Sequence, residues 1–185
     1  IPRPETENLV EKAIEILKKK SDVLDIGAGS GNISVILAKK THSWILATEL
    51  NPKSLYVFKK NIELHNLKNN IFPCRTDLFP PQKKQFDLII YNPPYLSEDE
   101  WNQLPIQIKK YEPKMALVSG PRGDETIKRI IRQSNDFLKP KGYLLFEIGY
   151  KQKKIVNELL EQNQYKNIEF FKDYNNLDRI TLAQK

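Results

Sequence analysis

Short apolar runs alternate with amphipathic helical patterns along most of this chain. That alternation narrows the possible folds more than any other feature. Residues 22–26 read as a buried strand, closed by the glycine-rich turn Gly27-Ala28-Gly29-Ser30-Gly31. A helix follows with Ile33, Ile36 and Leu37 on its apolar face. Residues 44–48 form a second strand, and Pro52 starts a helix with Leu55, Phe58, Ile62 and Leu64 facing inward. Strands are predicted at 70–74 and 86–90. A turn over 139–142 leads into a fifth strand at 143–148, and helices are predicted at 125–138 and 151–163. Ahead of all these, Thr6 reads as the N-cap of a helix with Leu9, Val10, Ala13, Ile14 and Leu17 on one face. Residues 96–121 read as irregular, with prolines at 105, 113 and 121 and one short helix near 98–104. Two closing strands, 168–172 and 179–183, are spaced to pair antiparallel. Strands that alternate with helices predict an α/β fold, a mainly parallel sheet with helices on both faces.

A chain of 185 residues with 39% hydrophobic content builds one core and leaves little room for a second. The single cysteine, Cys74, excludes a disulfide framework and a multi-cysteine zinc site, and suits a reducing compartment. The longest apolar runs are strand-sized, too short to cross a bilayer, and no signal peptide is visible. The formal charge is +7, but only six of the 30 basic residues are arginine. A reader of base edges favours arginine. The lysines at 18–20, 59–60 and 151–154 read as solvated surface. The first residue is Ile1, so the chain is expected to be a fragment of a longer protein.

In parallel α/β sheets, ligands bind beyond the carboxyl ends of the strands. Four features fall there. The first is Asp25 with the turn Gly27–Gly31. Its spacing is G-x-G-x-G rather than the dinucleotide G-x-G-x-x-G, and an acid precedes it. Asp25 would repel a phosphate but accept from an ammonium, which favours a cofactor with a cationic, amino-acid-like end. The second is Glu49, placed to accept both hydroxyls of a ribose. The third is Asp77-Leu78-Phe79, with the carboxylate accepting from an adenine amino group and the two apolar residues covering the ring. The fourth is Asn92-Pro93-Pro94-Tyr95. Prolines stiffen this loop, so the Asn92 side-chain oxygen and the Pro93 carbonyl can converge on one planar –NH₂ group, with Tyr95 packed on the flat acceptor. Cys74, His42 and His65 show no ligand-like spacing, and no metal site is implied. Trp101 reads equally as a lid contact or a buried residue.

These motifs, in this order, resemble the class I S-adenosylmethionine-dependent methyltransferases. Within them the chain is most similar to the protein-glutamine N5-methyltransferases of peptide chain release factors. The resemblance covers essentially all 185 residues. It includes Ile1-Pro2-Arg3-Pro4-Glu5-Thr6-Glu7 at the start and Asp25–Gly31 as the cofactor loop. Asn92–Tyr95 matches the substrate loop, and Tyr111-Glu112-Pro113 with Ala116-Leu117 the segment behind the site. Glu147-Ile148-Gly149 and Asp178-Arg179 match the C-terminal part. Two departures stand out: Glu49 where aspartate is more usual, and Gly120-Pro121-Arg122-Gly123-Asp124 in place of a glycine-rich acidic stretch.

The resemblance implies a Rossmann-like, seven-stranded, mainly parallel sheet with one antiparallel strand near the C-terminus. It implies that residues 1–185 form the catalytic domain, without the family's helical N-terminal domain. The implied cofactor is S-adenosylmethionine, held by Asp25, Gly27, Ala28, Gly29, Ser30, Gly31, Glu49, Asp77, Leu78, Phe79 and Asn92. Asn92, Pro93, Pro94 and Tyr95 would bind the substrate, with Asn92, Pro93 and Tyr95 at the reacting group. The implied partner is a class I release factor bearing a Gly-Gly-Gln loop. A monomeric, cytoplasmic enzyme without stable nucleic-acid binding is expected. The same loop would also serve an adenine N6-methyltransferase of DNA or RNA, or a ribosomal-protein glutamine methyltransferase. A binding module without activity is the non-enzymatic alternative.

Overall fold

The computed structural model describes residues 4–185. Much of the motif at the start of the chain, residues 1–3, lies outside the described residues. Helix α1 (Pro4–Ile16) leads into strand β1 (Asp22–Ile26), then α2 (Asn32–Thr41), β2 (Trp44–Glu49), α3 (Pro52–Leu64), β3 (Ile71–Arg75) and β4 (Phe86–Tyr91). A connecting region follows, containing β5 (Leu96–Ser97), α4 (Glu98–Gln103), α5 (Ile106–Tyr111), a 3-10 turn at Lys114–Ala116 and β6 (Val118–Gly120). The chain closes with α6 (Glu125–Phe137), β7 (Leu138–Glu147), α7 (Lys153–Gln162), β8 (Lys166–Lys172) and β9 (Asp178–Gln184).

Seven strands form one sheet in the order β3-β2-β1-β4-β7-β9-β8. The first five run parallel, and β9 is antiparallel to both its neighbours. The expected seven-stranded Rossmann-like sheet, with its single reversed strand, is what the chain forms. Strand side chains alternate between faces. Val23, Ile45, Leu88 and Leu145 therefore pack under α1, α2 and α3, while Leu24, Ile89, Leu144 and Phe146 pack under α6 and α7. Burial on both faces explains why these strands read as continuous apolar runs.

Several expectations change. Thr6 is not an N-cap, because α1 already begins at Pro4. Ile36 and Leu64 face solvent rather than the core; α2 buries Ile33, Leu37 and Ala38 instead, and α3 buries Leu55, Phe58 and Ile62. The predicted turn 139–142 lies inside β7 as an irregularity. Phe86 pairs with Leu138 but Leu88 pairs with Tyr143, so the extra residues bulge out. Lys139 from that bulge bonds Asp22 at 2.8 Å and Asp87 at 2.9 Å, tying together the starts of β1, β4 and β7. The stretch 96–121 is more regular than its prolines suggest. Ser97 and Glu100 form a reciprocal capping box that starts α4. A second short helix, α5, follows Pro105.

Candidate active site

The strand order reverses between β1 and β4, and in open α/β sheets that reversal opens a crevice at the carboxyl edge. Ile26 on β1 lies opposite Tyr91 on β4. Gly27 and Asn92, the next residues, thus leave the sheet side by side. β2 ends level with them, since Ile26 is also opposite Thr48. The glycine turn, the acid after β2, the segment after β3 and the proline loop after β4 therefore meet at one edge.

Two cavities open there, each of about 330 Å³. Glu49, Asp77, Leu78 and Tyr91 line the first. Ala28, Ser30, Pro93, Tyr95 and Glu112 line the second. Gly27, Gly29, Asn92, Pro94 and Ala116 border both. The two cavities thus adjoin along the turn after β1 and the loop after β4.

The glycines of the turn serve different ends. At Gly29, φ is +58° and an added Cβ would meet no described atom within 4 Å, so the backbone itself faces open space. At Gly31, φ is +87° and an added Cβ would fall 1.9 Å from the Phe58 ring. Gly31 lines neither cavity. It lets the turn lie against the buried ring of α3.

Glu49 closes the turn as well as facing the first cavity. Its Oε2 accepts from the Gly29 N–H at 2.8 Å and its Oε1 from the Asn51 N–H at 2.6 Å. One carboxylate thereby joins the turn to the start of α3. Asp25 lies beneath the same turn, fully buried and lining neither cavity. Its Oδ2 accepts from the Ser34 hydroxyl at 2.5 Å, and its Oδ1 has no hydrogen-bond partner among the described residues. Burial, aided by the charge of Glu49 and opposed by Ser34, pushes its carboxyl from 3.8 up to about 7.

After β3, the predicted trio separates. Leu78 lines the first cavity with φ at +60°, a conformation that leucine rarely adopts. The buried Thr48 hydroxyl donates to its carbonyl at 2.6 Å and holds it there. Asp77 also faces the cavity, but its Oδ2 accepts from Arg129 of α6 at 2.8 Å. Phe79 does not line the cavity. It stacks on Phe137 at 4.8 Å between ring centroids and packs, partly buried, against the core.

In the loop after β4, the Asn92 Nδ2 donates to the Thr6 Oγ1 of α1 at 3.0 Å. The Gln152 side chain donates to the carbonyls of Tyr95 at 3.2 Å and Gly123 at 2.8 Å. The Arg179 guanidinium lies 6.0 Å from the Tyr95 ring and is held by Asp173 at 3.0 Å. This gives the Asp178-Arg179 motif a place behind the loop. Tyr91, Arg129 and Gln152 escaped sequence reading, and Thr6 was read only as a helix cap and as part of the opening motif. The first looks like any strand residue, and the others reach the site from elements distant in the chain. Burial, then the charge of Asp77, pushes the Tyr91 phenol up. Among the described residues, no group of three or more His, Cys, Asp or Glu is placed to hold a metal ion, and no helix is long and apolar enough to cross a membrane.

The Methyltransferase small domain family matches residues 6–107, more than half of the chain and a span from Thr6 through the loop after β4. A curated relative from Aquifex aeolicus, a release factor glutamine methyltransferase, is 36% identical over 189 residues. This chain belongs to the release factor glutamine methyltransferase family. The alignment with the Aquifex relative covers 100% of this chain and 66% of the relative. The relative of the same name from Fusobacterium nucleatum is 38% identical, with 100% of this chain and 53% of the relative covered. The chain therefore spans between about half and two thirds of these relatives. A solved methyltransferase from Pyrococcus furiosus shares the fold, with a TM-score of 0.74 at 18% identity, 100% of this chain and 83% of that one covered.

Proposed function

We propose that this domain methylates the side-chain amide nitrogen (N5) of the glutamine in the Gly-Gly-Gln loop of a class I peptide chain release factor, using S-adenosylmethionine. The observation that carries the reading is the border that the two cavities share. Asn92 and Pro94 border both cavities, so a donor in one and an acceptor in the other would meet directly beside Asn92.

The residues of the first cavity fit the cofactor. The unpartnered, buried Asp25 Oδ1 supports a cationic amino group bound at the glycine turn, reached directly or through water. The open space above Gly29 admits a ligand against backbone. Glu49 keeps a lone pair on each oxygen for ribose hydroxyls. Asp77 and Leu78 suit the adenine end, and Ala28 and Ser30, on the glycine turn where the second cavity adjoins the first, the methionine end. The cofactor, when bound, supplies an electrophilic methyl group on a sulfonium.

The second cavity suits the acceptor. An amide nitrogen is a poor nucleophile, because its lone pair is shared with the carbonyl. The Asn92 side-chain oxygen and the Pro93 carbonyl would each accept one of its N–H bonds, orienting the nitrogen and favouring the transition state. Tyr95 would pack on the planar amide. After transfer, the surplus proton leaves to water, so no residue serves as a base. A release factor acts at ribosomes, and a cytoplasmic reaction is part of this reading.

The test is mass spectrometry of purified release factors after incubation with the chain and isotopically labelled S-adenosylmethionine. One added methyl group on the Gly-Gly-Gln peptide is expected. Label found only on adenine of nucleic acid, with none in protein, would overturn the reading.

A further inference from the structure

We infer that Thr6 is a positioning residue for Asn92: its hydroxyl, arriving from α1, fixes the rotation of the Asn92 carboxamide beside the second cavity. The prolines at 93 and 94 stiffen the backbone of the loop but leave the two side-chain torsions of Asn92 free. The second torsion of asparagine is broad, so a rigid loop alone does not aim its amide. A second restraint is needed, and the structure holds one. The Asn92 Nδ2 donates to Thr6 Oγ1 at 3.0 Å, across 86 residues of sequence. Thr6 lines the second cavity beside Asn92, Pro93 and Tyr95.

Thr6 is itself well anchored. It lies near the start of α1, whose Leu9, Val10 and Ala13 are buried against the sheet. A hydroxyl on a docked helix is a fixed post, unlike one on a loop. With the amide nitrogen engaged at Thr6, the side-chain oxygen is the group of Asn92 left for an acceptor N–H. Small errors in the placement of a reacting group cost rate steeply, so a lock on this amide acts on turnover more than on affinity. The catalytic half of this inference rests on the transfer reaction proposed above. The restraint on the amide does not.

Two measurements test it on the full chain, with Thr6→Val, which keeps the shape and removes the hydroxyl, and Thr6→Ser, which keeps the hydroxyl. The first is nuclear magnetic resonance of side-chain amides, with the Asn92 NH₂ pair identified by its loss in Asn92→Ala. Thr6→Val is expected to shift that pair and raise its fast motion, and Thr6→Ser to restore it. An unchanged pair in Thr6→Val overturns the restraint, whatever the acceptor is. The second is single-turnover methyl transfer to a release factor. Thr6→Val is expected to slow the chemical step about three- to tenfold, the scale of one neutral hydrogen bond, with cofactor affinity and acceptor KM unchanged. In the Asn92→Ala background, Thr6→Val is expected to add nothing. A full additional loss in the double variant, or a loss confined to KM, overturns the positioning role. If the wild type transfers methyl to no release factor, the proposed function fails, and the resonance measurement still decides the restraint.

Discussion

Gly31→Ala is the sharpest perturbation that this fold offers, because its consequence is written in one distance. The new Cβ would fall 1.9 Å from Cδ2 and 2.0 Å from Cε2 of Phe58, a ring with no exposed surface. Neither side can yield cheaply. Phe58 is enclosed by the core under α3, and Gly31 sits at φ +87° between the turn and α2. Overpacking a filled core costs about 1–3 kcal/mol. Placing alanine in the left-handed region adds about 1–2 kcal/mol. The sum, about 2–5 kcal/mol, is a large part of the roughly 5–15 kcal/mol that stabilises a domain. At about 2–4 °C per kcal/mol for a chain of this size, Tm should fall by about 4–20 °C. Gly29→Ala provides the control. It carries the same backbone strain but meets no described atom within 4 Å, so its Tm should fall less than that of Gly31→Ala. Shrinking the ring in the double variant Gly31→Ala/Phe58→Leu should recover part of the loss. Thermal and urea unfolding of the variants measure all of this. A Gly31→Ala protein with wild-type stability would refute the reasoning.

Glu49→Gln leaves one oxygen where two backbone N–H groups now donate, so S-adenosylmethionine affinity should fall by about 1–3 kcal/mol, read by calorimetry; unchanged affinity would mean that the carboxylate serves the turn alone. Asn92→Ala should cut single-turnover methyl transfer by roughly 10²–10³, and Asn92→Asp should retain cofactor binding within about tenfold while transfer is strongly reduced; wild-type rates in either would remove Asn92 from the chemistry. Asp25 gives a pH signature. Its carboxyl is raised from 3.8 to about 7 by burial, so between those values the folded state holds a proton that the unfolded state has lost. The stability of the unliganded protein should therefore fall as pH rises from about 4 through about 7, by up to about 4 kcal/mol, and Asp25→Asn should flatten that slope. A cationic ligand group favours the ionised carboxylate, so cofactor affinity should rise across the same window in the wild type only. Calorimetry from pH 6 to 8 checks the direction.

What the chain determines locally could be read from it directly. Strand and helix periods follow from backbone geometry, so the alternating elements were legible, as were the glycine turn after β1, the acid ending β2 and the proline loop ending β4. Each of these depends only on residues within a few positions of itself. The partners of those features were not legible, because they depend on the sheet order that brings distant elements together. Thr6 reaches Asn92 only because α1 packs beside α2 under the strands, and Arg129 reaches Asp77 only because α6 covers the opposite face. The stacking of Phe79 on Phe137 and the seat of Gly31 against Phe58 were equally illegible, since each partner stands far away in the chain. Ile36 and Leu64 continue an apolar pattern but face solvent, since helix docking angle, not periodicity, sets the width of the buried stripe. Local sequence thus determined which chemistry stands at the strand ends. Only the tertiary packing decided which of those groups face a cavity, which brace it, and which belong to the core, because a side chain's environment is made by residues that sequence distance does not rank.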